Sequence, residues 1–425
     1  MAEPGQERAA RERKAAPDPQ DHKVAPATPD QGPPEPEPRA IPEREPMARA
    51  RGTVAAAARA GTVGTAAPAR APTIRATAAV TAGPAAPRLL SPPLRSGKLW
   101  RVKRSGRLRR PGCTIAGVAA AVQQVSIDGR VLRLSRLDKP LYPSGFTKAQ
   151  VIEYYIRIAP FLLPHFHNRP VTLKRFPDGV AGQAFYEKDA PRYKPEWVET
   201  YPVPRRAGGP DICYVLINNI ATLVWCANIA SLELHPFLHT APKLGQPRSV
   251  VFDLDPGPPA DIFTCAEAAF HLKAWLDRRK LKSFIKVSGS KGLQLYVPLN
   301  TPVTYEQTRE FAHQLARGFE QKYPDLCLAS MDKSLRGGKV FIDWSQNADF
   351  KTTVGVYSLR AKADQPYVSV PVTWRELKTA LTARNRDALF FGPLEAAGRA
   401  EKLGDLFEPV LSLKQKLPTA VSAAK

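Results

Sequence analysis

Val250-Val251-Phe252-Asp253-Leu254-Asp255-Pro256-Gly257 runs three apolar residues into two aspartates one residue apart, and Pro-Gly then stops the run. A short apolar run bounded by turn residues predicts a buried strand. Side chains alternate faces along a strand, so Asp253 and Asp255 point the same way. Two carboxylates on one face at a strand end repel each other and stay ionised only with a cation between them. Oxygen ligands of this kind suit Mg²⁺ or Mn²⁺. The same pair also fits a polar strand end whose aspartates cap backbone groups.

Working outward, Lys339-Val-Phe-Ile-Asp343 repeats the pattern of an apolar strand closed by an acid. Two-metal phosphoryl transfer needs carboxylates from more than one strand, and Asp253, Asp255 and Asp343 form such a set. Between two further apolar runs, Ser283–Val287 and Leu293–Val297, lies Ser288-Gly-Ser-Lys-Gly292. Its glycines permit tight backbone geometry, its amides and hydroxyls can cradle a phosphate, and Lys291 supplies a cation. The spacing is not that of a Walker A loop, and an ordinary polar hairpin turn is the other reading.

The chain has 425 residues, enough for a large core or two domains, and a net charge of +23. That excess favours a polyanionic partner, most simply nucleic acid. No apolar run is long enough to span a bilayer, and no apolar segment with a cleavage site follows the N-terminus. The five cysteines (Cys113, Cys213, Cys226, Cys265 and Cys327) are scattered, without zinc spacing. They fit a reducing cytoplasm and argue against a disulfide framework.

Residues 1–120 are rich in Ala, Pro and Arg, and residues 51–120 contain no acid. Such low-complexity composition cannot bury enough apolar surface to offset chain entropy, so a disordered basic extension is expected there. A folded domain is expected over 121–418, with a short tail at 419–425. Val125–Leu134 alternates around Asp-Gly and predicts a hairpin. Thr147 predicts the N-cap of a helix through Ile158. Residues 218–230, 261–280 and 304–323 predict helices, and Val171–Phe176, Ala184–Lys188 and Lys339–Trp344 strands. Strands and helices alternate without a regular β-α-β period, which points to α+β with a mixed or antiparallel sheet.

His235 ends an apolar run before Pro236, and Arg336 and Arg360 flank the Asp343 strand. Taken singly, each fits a structural histidine or a solvated arginine. Phe185 and Tyr186 lie near Lys174, Arg175 and Lys188, an aromatic–basic mixture of the sort that stacks bases and binds phosphates. In a strand these two rings face opposite ways, so one of them is expected in the core.

Together these residues resemble a known family. From about residue 128 to 418 the sequence is similar to the polymerase domain of bacterial ATP-dependent DNA ligase D, in the archaeo-eukaryotic primase superfamily. The resemblance rests on Val251-Phe-Asp-Leu-Asp-Pro-Gly257, Ser288-Gly-Ser-Lys-Gly-Leu293 and Lys333-Ser-Leu-Arg-Gly-Gly-Lys-Val-Phe-Ile-Asp-Trp-Ser-Gln-Asn347. Leu137-Asp-Lys139, Leu141-Tyr-Pro143, Arg169–Arg175 and Tyr357-Ser-Leu-Arg360 support it. It implies a primase-like fold with an RRM-like sheet bearing the acids. It implies template-dependent nucleotidyl transfer to broken DNA ends, with two Mn²⁺ or Mg²⁺ ions and a preference for ribonucleotides over dNTP.

By the same resemblance, Asp253, Asp255 and Asp343 hold metal, with His235 as a further catalytic residue. Ser288, Ser290, Lys291, Gln294, Arg336 and Arg360 line the nucleotide site. Lys139 and Lys148 grip a 5′-phosphate across a gap and Phe185 meets the template; from the aromatic–basic mixture, Lys174 and Lys188 are further candidate DNA contacts. The implied partners are gapped or broken DNA, a Ku-type end-binding protein and a separate DNA ligase. The implied setting is the bacterial cytoplasm, at the nucleoid.

The chain departs from the family at Gln294, usually His, and at Val356, often Pro. Gln can donate a hydrogen bond but cannot carry a proton. No K-x-D-G ligase nucleophile is found, and residues 1–120 are too short for a ligase domain, so a stand-alone polymerase is expected. A non-catalytic DNA-end-binding relic and a primase starting chains de novo are the rival functions. A D-x-D glycosyltransferase shares the metal chemistry but not the order of the three motifs.

Overall fold

The computed structural model describes residues 122–418, so the expectations for residues 1–120 and for 419–425 lie outside the described residues. The chain opens with the expected hairpin, β1 (Gln123–Ile127) and β2 (Arg130–Leu134). Asp128 and Gly129 both have positive φ, as the tight two-residue turn requires.

Helix α1 (Lys148–Phe166) starts at Thr147, whose hydroxyl accepts from the Gln150 amide while the Gln150 side chain accepts from Thr147 N–H. This capping box satisfies two donors at once. The helix does not stop near Ile158 as expected but continues through Pro160 and Pro164. A proline interrupts the hydrogen-bond ladder. Burial of Ile158, Ala159, Leu162 and Phe166 on the core face outweighs that loss.

A five-stranded sheet follows, built on β3 (Pro170–Arg175), β4 (Phe185–Glu187), β5 (Thr200–Val203) and β6 (Ile212–Leu216). Helix α2 (Ile220–Asn228) then leads to β7 (Ser231–Pro236), which pairs along β3. Strands β4 and β6 pair with different parts of β3, at Leu173–Arg175 and at Pro170–Val171.

The opening stretch becomes β8 (Ser249–Pro256). After it come α3 (Ile262–Arg278), β9 (Phe284–Val287), β10 (Leu293–Pro298), α4 (Tyr305–Lys322), β11 (Cys327–Leu328) and β12 (Val340–Asp343). Short strands β13 (Leu359–Arg360), β14 (Tyr367–Val368) and β15 (Pro371–Val372) precede α5 (Trp374–Ala383), α6 (Pro393–Leu403) and α7 (Pro409–Ser412). The second sheet has the order β11-β12-β8-β10-β9-β15. Only β11–β12 is parallel, so the sheet is mixed within an α+β fold.

In β8 the side chains of Phe252 and Leu254 share one face and are fully buried. Asp253 and Asp255 take the other face. Helices α3 and α4 pack against β8. The segment 355–361 is fastened to β7 of the first sheet. Gly355 N–H donates to the Leu234 carbonyl, and Leu234 N–H donates to Ser358 Oγ, both at 2.9 Å.

Candidate active site

The site begins as a row across the second sheet. In register, Asp343 of β12 stands opposite Asp253 of β8, Asp253 opposite Gln294 of β10, and Gln294 opposite Lys286 of β9. Directly opposed residues of antiparallel strands share a face. Four neighbouring strands thus present acid, acid, amide and amine in line. Lys286 is fully buried, and its Nζ donates to Gln294 Oε1 at 2.5 Å and to Ser369 Oγ at 2.6 Å. Gln294 Nε2 donates to Thr353 Oγ1 at 3.0 Å.

Burial first, and then the facing Asp343 carboxylate, push the Asp253 pKa up to about 6. Asp255 is more exposed, and its carboxylate lies 3.8 Å from Arg336 Nη1. The Arg336 guanidinium also packs over the Phe341 ring at 3.9 Å. Asp343 caps the short turn after β12, accepting from Ser345 N–H at 2.9 Å and from Gln346 Nε2 at 2.9 Å.

Among the described residues no three carboxylate, imidazole or thiol groups already converge into a closed metal cage. The donor chemistry fits a divalent cation all the same. Asp253 and Asp343 are hard oxygen donors facing one another, and the raised pKa of Asp253 reports a charge that an interposed cation would compensate.

The loop Ser288–Gly292 stands at the end of the same strands. Ser288 Oγ accepts from Ser290 N–H at 3.2 Å and Gly292 N–H at 3.3 Å, which leaves its own O–H to donate. A Cβ at Gly292 would fall 2.0 Å from the Leu254 carbonyl oxygen, so only glycine lets the loop approach the acid-bearing strand this closely. Gly257 does the same for the other flank, where a Cβ would meet the Arg336 carbonyl oxygen at 1.9 Å.

Asp253, Asp255, Ser288, Ser290, Lys291, Gln294 and Arg360 line one cleft of about 550 Å³. Lys362 and Arg386 add cations to those of Lys291 and Arg360 in the lining. A ligand with several negative charges and a bound cation matches that distribution. Sequence reasoning missed Lys362, Tyr367, Arg386 and Phe390 in the lining. Lys362 stands two residues past Arg360 and could have been found from that spacing. Arg386 and Phe390 carry no local signal.

His235 is held through a residue that was also missed. Its Nε2 lies 3.0 Å from Glu233 Oε2, and Arg360 Nε lies 3.6 Å from Glu233 Oε1. The spacing Glu233-Leu-His235 puts acid and imidazole on one strand face and was legible. Burial lowers the His235 pKa, and the Glu233 carboxylate opposes that shift.

The residues assigned to DNA fall outside the cleft lining. Lys139 Nζ donates to the Pro177 carbonyl at 2.5 Å and pairs with Asp178. Lys148 Nζ donates to the Asn228 carbonyl at 2.9 Å. Burial, and then the nearby cations Arg136 and Lys139, lower the Lys148 pKa to about 8. Lys174 is buried, 3.8 Å from Glu233 and 5.0 Å from the Tyr186 ring centroid. Lys188 is exposed. The expectation that one of Phe185 and Tyr186 joins the core is corrected: they are 46% and 63% exposed. Strand β4 has three residues at a sheet edge, too short and too far from the core to bury either ring.

The structure thus presents an acid row beside a glycine-bounded loop, with Arg360 on the loop and Arg336 against Asp255. The family model described as "LigD, primase-polymerase domain" matches residues 147–407, and the chain belongs to that family. It is 40% identical over 282 residues to the multifunctional non-homologous end joining protein LigD of Mycolicibacterium smegmatis, covering 66% of this chain and 36% of that protein. It is 33% identical over 253 residues to the bifunctional non-homologous end joining protein LigD of Bacillus subtilis, covering 59% and 40%. The chain thus spans about a third of the length of the first of these relatives. Among solved structures, the polymerase domain of Mycobacterium tuberculosis ligase D in complex with DNA matches with a TM-score of 0.61 and 37% identity, over 67% of this chain and 99% of that one.

Among the described residues no helix is long and apolar enough to cross a membrane.

Proposed function

We propose that this chain is a nucleotidyltransferase that extends DNA 3′-OH ends from NTP or dNTP, ribonucleotides preferred, during non-homologous end joining. The observation that carries this reading is the opposition of Asp253 and Asp343 beside the Ser288–Gly292 loop, in a chain of the LigD primase-polymerase family. The chemistry is attack of a primer 3′-OH on the α-phosphate of the nucleotide, with release of pyrophosphate.

Asp253, Asp255 and Asp343 are the residues that would hold two Mn²⁺ or Mg²⁺ ions. When bound, such ions lower the pKa of the attacking hydroxyl and neutralise phosphate charge. The chain's own part is to bind and orient. Lys291, Arg336 and Arg360 meet the charge of the leaving phosphates, and the Ser288 and Ser290 hydroxyls donate to phosphate or sugar oxygens. Gln294 holds its place in the sheet through Lys286 and Thr353. His235, fixed by Glu233, adds an imidazole tied to the same carboxylate as Arg360.

Lys139 and Lys148, with Arg136 nearby, would take the 5′-phosphate of the downstream strand. Phe185 and Tyr186, both exposed, would stack on unpaired template bases, with Lys188 contributing charge. Lys174 acts from behind Tyr186 rather than on DNA directly. The complex structure of the Mycobacterium tuberculosis polymerase domain with DNA supports a DNA substrate. A Ku-type end-binding protein and a separate ligase would complete the repair, in the cytoplasm at the nucleoid.

The test is extension of a gapped DNA by NTP with Mn²⁺, wild type against Asp255→Ala. Extension by wild type alone is expected. Binding without extension by wild type would mean a DNA-end-binding relic, and equal extension by the variant would sink the metal assignment.

A further inference from the structure

Glu233 belongs to none of the three motifs, yet it is the most enclosed carboxylate around the cleft, at 1% exposure. Each oxygen meets partners from different elements. Oε2 accepts from His235 Nε2 of the same strand at 3.0 Å and lies 3.8 Å from Lys174 Nζ of β3. Oε1 accepts from Ala361 N–H at 3.0 Å and lies 3.6 Å from Arg360 Nε. Burial alone would raise the pKa of such a carboxylate. The His235 hydrogen bond and the charges of Arg360 and Lys174 overcome it and hold Glu233 well below the usual carboxylate range.

Arg360 shows what this anchor does. Its Nη1 donates to the Ser288 carbonyl at 2.9 Å, so the guanidinium touches the phosphate loop. Its Nε is buried and makes no hydrogen bond, leaving the Glu233 charge to hold that side. Ala361, the next residue, is tied to the same carboxylate through its backbone. Arg360 is thus gripped by Glu233 at its base and by the loop at its tip, while its side chain lines the cleft.

We infer that Glu233 is the positioning residue of the nucleotide cleft: acting through Arg360, it sets the guanidinium against the Ser288–Gly292 loop for a nucleotide's phosphates. His235 and Lys174 share the anchor. The inference rests on reading the cleft as a nucleoside triphosphate site. A carboxylate that merely stabilised the fold would not couple to Arg360 in nucleotide binding.

The experiment is a double-mutant cycle read by equilibrium binding of ATP with Mn²⁺, with gapped-DNA binding measured alongside. Glu233→Gln keeps the shape and can still accept from Ala361 N–H, but removes the charge. It should weaken ATP binding about 10-fold while gapped-DNA affinity stays within about twofold. Arg360→Gln should do at least as much. The double variant should be no worse than Arg360→Gln alone, because Glu233 has nothing left to act through. Losses that multiply, or unchanged ATP affinity in Glu233→Gln, would overturn the proposal.

Should the Gln variant fail to fold, Glu233→Asp keeps the buried charge but withdraws it from Arg360 by one methylene. It should lose ATP affinity several-fold, and wild-type affinity in that folded variant would equally overturn the proposal. Wild-type protein that binds no ATP with Mn²⁺ would instead sink the reading of the cleft itself.

Discussion

Asp343 stands directly across from Asp253 in adjacent antiparallel strands, so two carboxylates from distant parts of the chain share one face of the sheet. The raised pKa of Asp253 follows from burial and from that opposition. It has consequences for stability, and the rest of the site has others.

The folded-state pKa of Asp253, about 6, lies above its ordinary 3.8. Between those values the folded protein holds a proton that the unfolded chain releases. This group's contribution is therefore fully present below pH 4 and is lost as pH rises through 6, by about 3 kcal/mol at most. Metal-free wild type should lose stability over that window relative to Asp253→Asn. At pH 7, Mn²⁺ should raise the Tm of wild type and leave the variant unmoved. Thermal melts of both proteins, with and without Mn²⁺, check this.

Gln294 takes one hydrogen bond from buried Lys286 and gives another to Thr353. Gln294→Leu takes one hydrogen-bond partner from each of two buried residues, Lys286 and Thr353. The variant should lose about 1–3 kcal/mol of stability for each group left unsatisfied. Urea unfolding of wild type and variant at one pH measures it, and an unchanged midpoint would contradict the network.

The pKa of Lys148 is lowered to about 8 by burial and by Arg136 and Lys139. If Lys148 grips a 5′-phosphate in its charged form, gapped-DNA affinity should fall as pH rises through 8. An arginine stays charged across this range, so Lys148→Arg should bind with a flatter pH profile. Removing the charge with Lys148→Ala should lower the slope of log affinity against log salt by about 1. Fluorescence anisotropy on a 5′-phosphorylated gap reads all three.

Gly292→Ala places a methyl group 2.0 Å from the Leu254 carbonyl oxygen, so the loop must leave β8 or the strand must shift. Overpacking of this kind costs about 1–3 kcal/mol. ATP binding should fall more than gapped-DNA binding, because the displaced loop belongs to the cleft. Paired titrations with ATP–Mn²⁺ and with gapped DNA separate the two effects.

Much of the site was written in short stretches. The alternation of Val250–Asp255 put both acids on one face, and the Asp128-Gly129 turn closed the first hairpin as read. Thr147 capped its helix as read, and the helix expected from residue 304 is present as Tyr305–Lys322. Glu233 was equally legible as the acid two residues before His235 and was passed over. Nothing local pointed to Lys286, an ordinary lysine in a strand, or to Arg386 and Phe390 at the cleft.

By itself the sequence determined the faces, caps and turns, because these depend on residues within about four positions of one another. Tertiary structure alone decided which strands became neighbours. It placed Asp343 opposite Asp253, Gln294 on the other side of Asp253, and Glu233 against both Arg360 and Lys174. It also carried α1 past two prolines and left Phe185 and Tyr186 both uncovered on a short edge strand. Register between distant strands is set by the packing of the whole core, a sum over many buried side chains that no single stretch of sequence contains.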